Sequence, residues 1–367
     1  MPDPYERARS RKNDHLDLAR AQQDAPPPSN GFDDLAFVHH ALDGTDIGEI
    51  SLATDVAGLD WSAPLYITGM TGGTSKAFAV NQALAIAARE TGTAMASGSV
   101  SIALEDPEAR ESFTIIRREN PDGFVMANIG AHRGADGARR AVELMAADAL
   151  QVHVNSVQET VMPEGQRDFS SWERSIEEIL GAVDVPVIVK EVGFGLSRRT
   201  LDRLRGIGVQ IADVAGTGGT DFLRIENDRR DRADYSFLIG WGQSAPCCLL
   251  DAPQDFPALL ASGGVRHPLD VVRSLALGAR AAGVAGAFLR VALDGGPDAL
   301  VAEIGRWRTQ IAELMALLGA RTPRDLIHHD LLVSGRTAEF ARLRGIDVTA
   351  LARRTEIPSP TGDADVR

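Results

Sequence analysis

A chain of 367 residues that is 44% hydrophobic and 24% charged has the length and apolar content to bury a large core, as one big barrel or two ordinary domains. Its net charge of −13 argues against a nucleic-acid-binding surface, so an anionic ligand must be met by a local cluster of basic residues. Cys247 and Cys248 are sequence neighbours, too close to staple the fold and without metal-ligand spacing, which fits a reducing compartment. No apolar stretch reaches the length that spans a bilayer, and the charged start lacks the apolar segment of a secretory signal, so the expectation is a cytoplasmic protein without a membrane partner.

Residues 1–24 are polar and dense in charge, with Arg7, Arg9, Arg11, Lys12, His15 and Arg20 among acidic residues. The composition predicts a frayed helix with too little apolar surface to pack tightly. Pro26-Pro27-Pro28 then acts as a stiff spacer, and residues 1–30 read as a basic tail and linker. From Phe32 to Trp61, short strand-like pieces separated by glycine turns suit a cover over one end of the main domain.

After Pro64 a rhythm begins. Apolar runs ending in Gly, Ser or Asn alternate with Ala- and Leu-rich helical segments: PLYITGM, TAMASGS, GFVMANIG, ALQVHVN, PVIVKEV, GVQIADVAG, PALLASGG and RAAGVAGAF. Alternating strands and helices mean parallel βαβ units, and eight of them predict a closed (β/α)₈ TIM barrel over residues 31–320. A doubly wound sheet would more often show one Gly-rich first turn with an acidic residue some way beyond, and ITGMTGG does not look like that fingerprint. Asp221 to Pro257 reads as the longest irregular insert, a charged loop of the kind that forms lids, with a helix around Cys247. An amphipathic helix runs from Pro297 through Leu318, followed by a C-terminal helical extension over 321–367 whose tail past Ile357 is expected to be disordered.

The fourth predicted strand attracts the chemistry. Leu150, Val152 and Val154 alternate with Gln151, His153 and Asn155. A solvated strand face would carry Lys, Thr or Glu at the polar positions, not His, Asn and Gln. The strand runs directly into Gln158 and Glu159, at the end where parallel α/β folds bind ligands. Glycine pairs and hydroxyls recur at the other predicted strand ends, where close backbone approach and free N–H groups can hold a phosphate. Lys190 lies in an apolar strand and needs a partner: a Schiff base, an ion pair with Glu191, or a flavin whose negative charge it stabilises.

RKNDH, ITGMTGG, ASGS, ANIG, HVNSVQE, VIVKEVGFGLS, AGTGGTDF and LASGGVRHPLD occur in the order and spacing of type 2, FMN-dependent isopentenyl diphosphate isomerase, and the chain resembles that family from about Arg11 to about Leu318. The resemblance implies a (β/α)₈ barrel that interconverts isopentenyl and dimethylallyl diphosphate, using reduced FMN as acid and base, Mg²⁺, and NADPH as reductant, in a homo-oligomer of four or eight subunits. By the same resemblance, Gly69, Met70, Thr71, Ser99, Asn128, Lys190, Thr220, Gly263, Gly264, Ala285 and Gly286 match flavin-binding positions. Arg11 and Lys12 match a diphosphate-binding pair, and Ser99, Val100, Ser101, His153, Asn155 and Gln158 fall at the substrate. Gln158 and Lys190 match catalytic positions, and Glu159 the metal ligand.

Many members carry an Arg where this chain has Ser101, so some diphosphate charge must be met elsewhere, with Arg7, Arg9 and His15 as candidates. An FMN-dependent 2-hydroxy acid oxidoreductase on the same barrel is the main rival. It needs a His in the loop after strand six or seven, and AGTGGTDFLRIEN has none. His267, after ASGGVR, reads as a helix start. A non-catalytic phosphate-binding barrel would not need His153, Asn155, Gln158 and Glu159 gathered on one strand end.

Overall fold

A computed structural model describes residues 4–24, 30–232 and 234–356, without the side chains of residues 4–8, 23 and 24. The triple proline and the tail past Ile357 fall outside the described residues.

The eight apolar runs form one closed parallel barrel with strands Leu65–Ile67, Ala94–Ala96, Val125–Gly130, Ala149–His153, Val187–Lys190, Ile211–Asp213, Ala258–Ser262 and Ala281–Val284. Each reads as a continuous apolar run because both faces are covered, by the barrel interior and by the outer helices. Leu150 and Val152 belong to the apolar cluster under the helices, while Ala149 lies inside with Met126, Ile188, Leu260 and Tyr66. The alternation seen in the fourth strand therefore does not mark a wet edge. Gln151 is fully buried, pointing into the barrel.

A hairpin, Thr54–Val56 with Leu59–Trp61, closes the lower end. Trp61 packs on Tyr66 and Phe124, with ring centroids 5.5 and 5.6 Å away. The covering segment is tied to the C-terminal region by a small antiparallel sheet of Leu35–Phe37 with Leu331–Val333. The C-terminal extension thus contributes a strand as well as its helices. The last barrel helix, Gly286–Leu318, bends where Gly296 leaves helical geometry just before Pro297, as a missing backbone donor dictates.

One expectation fails at the upper end. The N-terminal helix, Pro4–Asp24, is not loosely held but packs against the barrel. Leu16, 3% exposed, and Ala19 lie one turn apart and join the main core, an apolar contact that average composition hides among the charges. Side-chain bonds secure the rest: Gln22 exchanges hydrogen bonds with the Asp221 backbone, and Arg20 pairs with Asp294. In the Asp221–Pro257 insert the expected helix around Cys247 is present as Ala245–Asp251, and a second short helix, Phe222–Asp228, follows the sixth strand. The Asp221 carboxylate accepts from the amides of Leu223 and Arg224, and the Ser244 hydroxyl accepts from that of Cys247, so each helix is capped.

Candidate active site

The mouth of the barrel is polar and connected. Gln151 Oε1 accepts from Asn128 Nδ2 at 3.1 Å, which turns the Asn128 carbonyl oxygen toward His153 Nδ1 at 2.9 Å. An oxygen at that distance requires the proton on Nδ1, leaving Nε2 as a bare acceptor. Burial, with Lys190, His132 and Lys12 nearby, holds the ring well below its ordinary pKa, so His153 is neutral.

Lys190 is 7% exposed at the end of the fifth strand, beside His153 in the ladder. Its ammonium donates to the Glu191 carbonyl at 2.6 Å, and among the described residues no carboxylate forms an ion pair with it. The Glu191 side chain faces elsewhere: Oε2 accepts from the amides of Val192, Phe194 and Gly195. Burial raises Glu191 to about 7 against those donors. An ion pair between neighbours is therefore not what Lys190 is for. A buried ammonium with one neutral partner calls for an anion at the mouth.

At the end of the fourth strand, Asn155 Nδ2 donates to Gln158 Oε1 and Glu159 Oε1, each at 3.1 Å. Gln158 then has its amide nitrogen directed outward, donating to Glu226 Oε1 at 3.0 Å. Glu226 comes from the helix after the sixth strand and is completely buried. Burial opposes its ionisation, but His15, Gln158 and Arg229 outweigh that cost and hold it at about 2. His15 Nε2 reaches the same oxygen at 2.9 Å, while burial pulls the imidazole pKa down; a neutral His15 donating to an ionised Glu226 satisfies both. One carboxylate thus joins the N-terminal helix, the fourth strand and the sixth loop.

Lys12 of the N-terminal helix reaches Ser99 O at 3.4 Å, and burial with the Arg11 charge lowers it to about 8. Arg11 turns toward the loop after the fourth strand, contacting Met162 Sδ and Glu164, each at 3.2 Å. The candidates for the charge absent at Ser101 are engaged elsewhere. Arg9 pairs with Asp106 and Glu108, and His15 with Glu226, while the Arg7 side chain lies outside the described residues. Ser101 itself accepts a hydrogen bond from Ser99 at 3.1 Å, next to the buried Val100.

The remaining predicted positions line two sides of the mouth. Gly69, Met70 and Thr71 follow the first strand; a Cβ on Gly69 would stand 2.1 Å from Ser97 O, so only glycine lets these two backbones meet. Thr71 Oγ1 and Ser97 Oγ are buried without a hydrogen-bond partner. On the opposite side, Thr220 ends a loop pressed against Gly263 and Gly264. Gly263 has φ +88°, and a Cβ there would lie 1.9 Å from Gly216 O. Ala285 provides no side-chain cap for the helix Gly286–Leu318, and no acidic residue stands in its first turn. Its leading amides are open to an anion.

These features fit FMN. Lys190 would meet the negative charge of the ring, the orphaned hydroxyls would bond its polar edge, and the glycine loops with the uncapped helix offer donors for its phosphate. Glu159 fits Mg²⁺ less fully. Its carboxylate accepts from Asn155 and from the Gln166 amide, and no cluster of three His, Cys, Asp or Glu side chains suited to a metal exists among the described residues. A single carboxylate suits a cation held mainly by water and phosphate oxygens. The buried, unpaired Asn155 Oδ1 is an acceptor for such a water.

Several participants were not legible from sequence. Glu226 was passed over inside a charged insert. Asn30 caps the turn Gly31–Asp34 and its amide donates to Gly264 O at 2.9 Å, clamping the seventh loop. Asp213 accepts from Tyr66 and Ser262 inside the barrel, at 2.5 and 2.9 Å, and raises Tyr66 together with burial. His132 follows Ala131 at the end of the third strand, and only its place after ANIG could have marked it.

Residues 118–333 match the FMN-dependent dehydrogenase family. The isopentenyl-diphosphate delta-isomerase of Kitasatospora griseola is 56% identical over 357 residues, covering 97% of this chain and 96% of that relative. The enzyme of that name from Streptomyces sp. (strain CL190) is 55% identical, covering 94% and 95%, and that of Staphylococcus haemolyticus is 43% identical, covering 92% and 97%. Among solved structures, mandelate oxidase superposes with a TM-score of 0.58 at 16% identity, covering 88% of this chain and 91% of that one. A flavocytochrome b2 variant with sulfite bound gives 0.61 at 18%, covering 88% and 83%. At those identities the two structures share the barrel alone.

Proposed function

The chain belongs to the isopentenyl-diphosphate delta-isomerase family, on the FMN-dependent dehydrogenase barrel, and we propose that its mouth carries out that interconversion with the diphosphate under the N-terminal helix. The observation that carries the reading is Lys190, a buried ammonium with no ion-pairing carboxylate among the described residues, beside the neutral Asn128 and His153 at the centre of the mouth.

Moving the double bond adds a proton at one carbon and removes one from another, with no net electron transfer. The protein offers little to do this at a hydrocarbon: Gln158 is an amide, and Glu226 is ionised and saturated with donors. Lys190, Thr71, Asn128 and the glycine loops would hold FMN, which, once reduced by NADPH, would supply the proton donor and acceptor. The residues of the chain orient and enclose. Asn155 and Glu226 grip opposite ends of the Gln158 amide and fix it toward the reacting carbons. Lys12 and His153 hold the diphosphate beside Ser99, Val100 and Ser101, with Glu159 directed to Mg²⁺ on its oxygens. The N-terminal helix covers the mouth and excludes water. A homo-oligomer in the cytoplasm completes the reading; among the described residues no helix is long and apolar enough to cross a membrane.

The 2-hydroxy acid oxidoreductase reading is disfavoured at its decisive point. No His follows the sixth strand before the helix Phe222–Asp228, and His267 starts the helix Pro268–Ala276. The test is anaerobic incubation with isopentenyl diphosphate, FMN, Mg²⁺ and NADPH. Dimethylallyl diphosphate is expected in large excess over NADPH oxidised. One product per NADPH would sink the proposal.

A further inference from the structure

Arg9 and Arg11 are paired with Glu108 and Glu164, which leaves Lys12 as the side chain of the N-terminal helix placed to meet the diphosphate and a gap in donors beside it. Two imidazoles stand in the gap. A Cβ placed on Gly130 would lie 2.5 Å from His132 Cε1, 2.6 Å from His132 Nδ1 and 3.2 Å from His153 Nε2. Both rings therefore sit over the same backbone atom at the end of the third strand. His132 stands at the rim with part of its surface exposed and its ring partly sunk, and His153 is partly covered beneath it.

The hydrogen bonds decide what this pair presents. Asn128 fixes the His153 proton on Nδ1, so the nitrogen beside His132 is a bare lone pair. A lone pair repels a phosphate oxygen. It becomes a donor only by gaining a proton, and an arriving anion is the event that makes the gain favourable.

We propose that His132 and His153 together form the site for one end of the diphosphate, and that the pair takes up a proton from solvent as the anion binds. This inference rests on the diphosphate reading of the mouth and adds His132 as a substrate-binding residue. The surroundings keep both rings neutral beforehand. His153 faces burial, Lys190, His132 and Lys12; His132 faces burial and Arg133, opposed by Glu159. An anion between the rings reverses the sign of the local field. The proton then sits on Nε2 of His153 or on His132, each able to donate to a phosphate oxygen.

Titration calorimetry of the flavin-loaded enzyme with inorganic pyrophosphate, near pH 7 in buffers of different ionisation enthalpy, counts the protons taken up. Wild type is expected to take up more than His132→Lys, whose charge is permanent and whose affinity stays within a few-fold. His132→Asn is expected to bind pyrophosphate roughly tenfold to a hundredfold more weakly, the loss of one charge-assisted contact. Equal proton uptake in wild type, His132→Lys and His132→Asn overturns this inference and leaves the isomerase reading standing. Wild-type enzyme that does not bind pyrophosphate overturns both. Flavin content should be the same in all three proteins; its loss in His132→Asn would put the residue at the cofactor and overturn the assignment.

Discussion

The two halves of the barrel interior are built from the same strands and obey opposite rules. The lower half is filled by Tyr66, Ala94, Ala96, Met126, Ala149, Ile188, Ile211 and Leu260 over the Trp61 hairpin, an apolar plug. The upper half, a residue or two further along each strand, holds Asn128, Gln151, His153, Lys190, Asp213 and Ser262. Below, side chains were selected for volume. Above, they carry hydrogen bonds and charge that a stable core does without, and on the proposed function the unpaired Lys190 is a stability cost accepted for a ligand.

Replacing Lys190 by Met tests that contrast hardest. The activity should fall by roughly a hundredfold to a thousandfold, as when one preorganised electrostatic contact is removed, and flavin affinity should drop. Thermal melting of the flavin-free protein should show equal or greater stability, because an uncompensated ammonium has gone. A destabilised apoprotein would mean that Lys190 is structural after all.

Ile188→Ala, two residues earlier on the same strand and fully buried, should behave in the opposite way. Denaturant unfolding is expected to show a loss of about 2–5 kcal/mol from the transfer and cavity terms, with KM and flavin content unchanged. Comparable damage to kcat would erase the division between the two halves.

Glu159→Gln sharpens the boundary within the mouth itself. Mg²⁺ dependence and activity should weaken sharply while bound flavin stays constant. Gln158→Ala should keep both metal response and flavin but lose rate. Loss of flavin in either protein would show that the two functions are not separated as proposed.

The smallest effect is a pH limb. Lys12 binds an anion only when protonated, and in the free enzyme it sheds that proton as pH rises through about 8. The value of kcat/KM should therefore decline above that pH, and Lys12→Arg, which stays charged, should flatten the decline. An unchanged limb would assign the titration to another group.

The barrel was legible because parallel strands buried on both faces must be apolar and must alternate with helices, and that rhythm survives in one dimension. The glycine-ended strands and the Gln158–Glu159 pair were legible for a related reason: chemistry gathers where strands end, and strand ends are local. The N-terminal helix was misread as a loosely held start because its hold on the barrel depends on Leu16, Ala19 and a set of polar partners far away in sequence.

Residue order by itself determined the barrel, the end of it where polar groups gather, and the residue types offered there, since each follows from periodicity or from neighbours along the chain. Tertiary structure alone decided how those groups are charged and connected. Glu226 reaches Gln158 across 68 positions and His15 across 211. Asn128 sets the proton of His153 from the adjacent strand, and Glu191 turns into its own loop, leaving Lys190 unpaired. Protonation and pairing depend on distance and desolvation in space, and a linear sequence does not specify either until the chain has closed on itself.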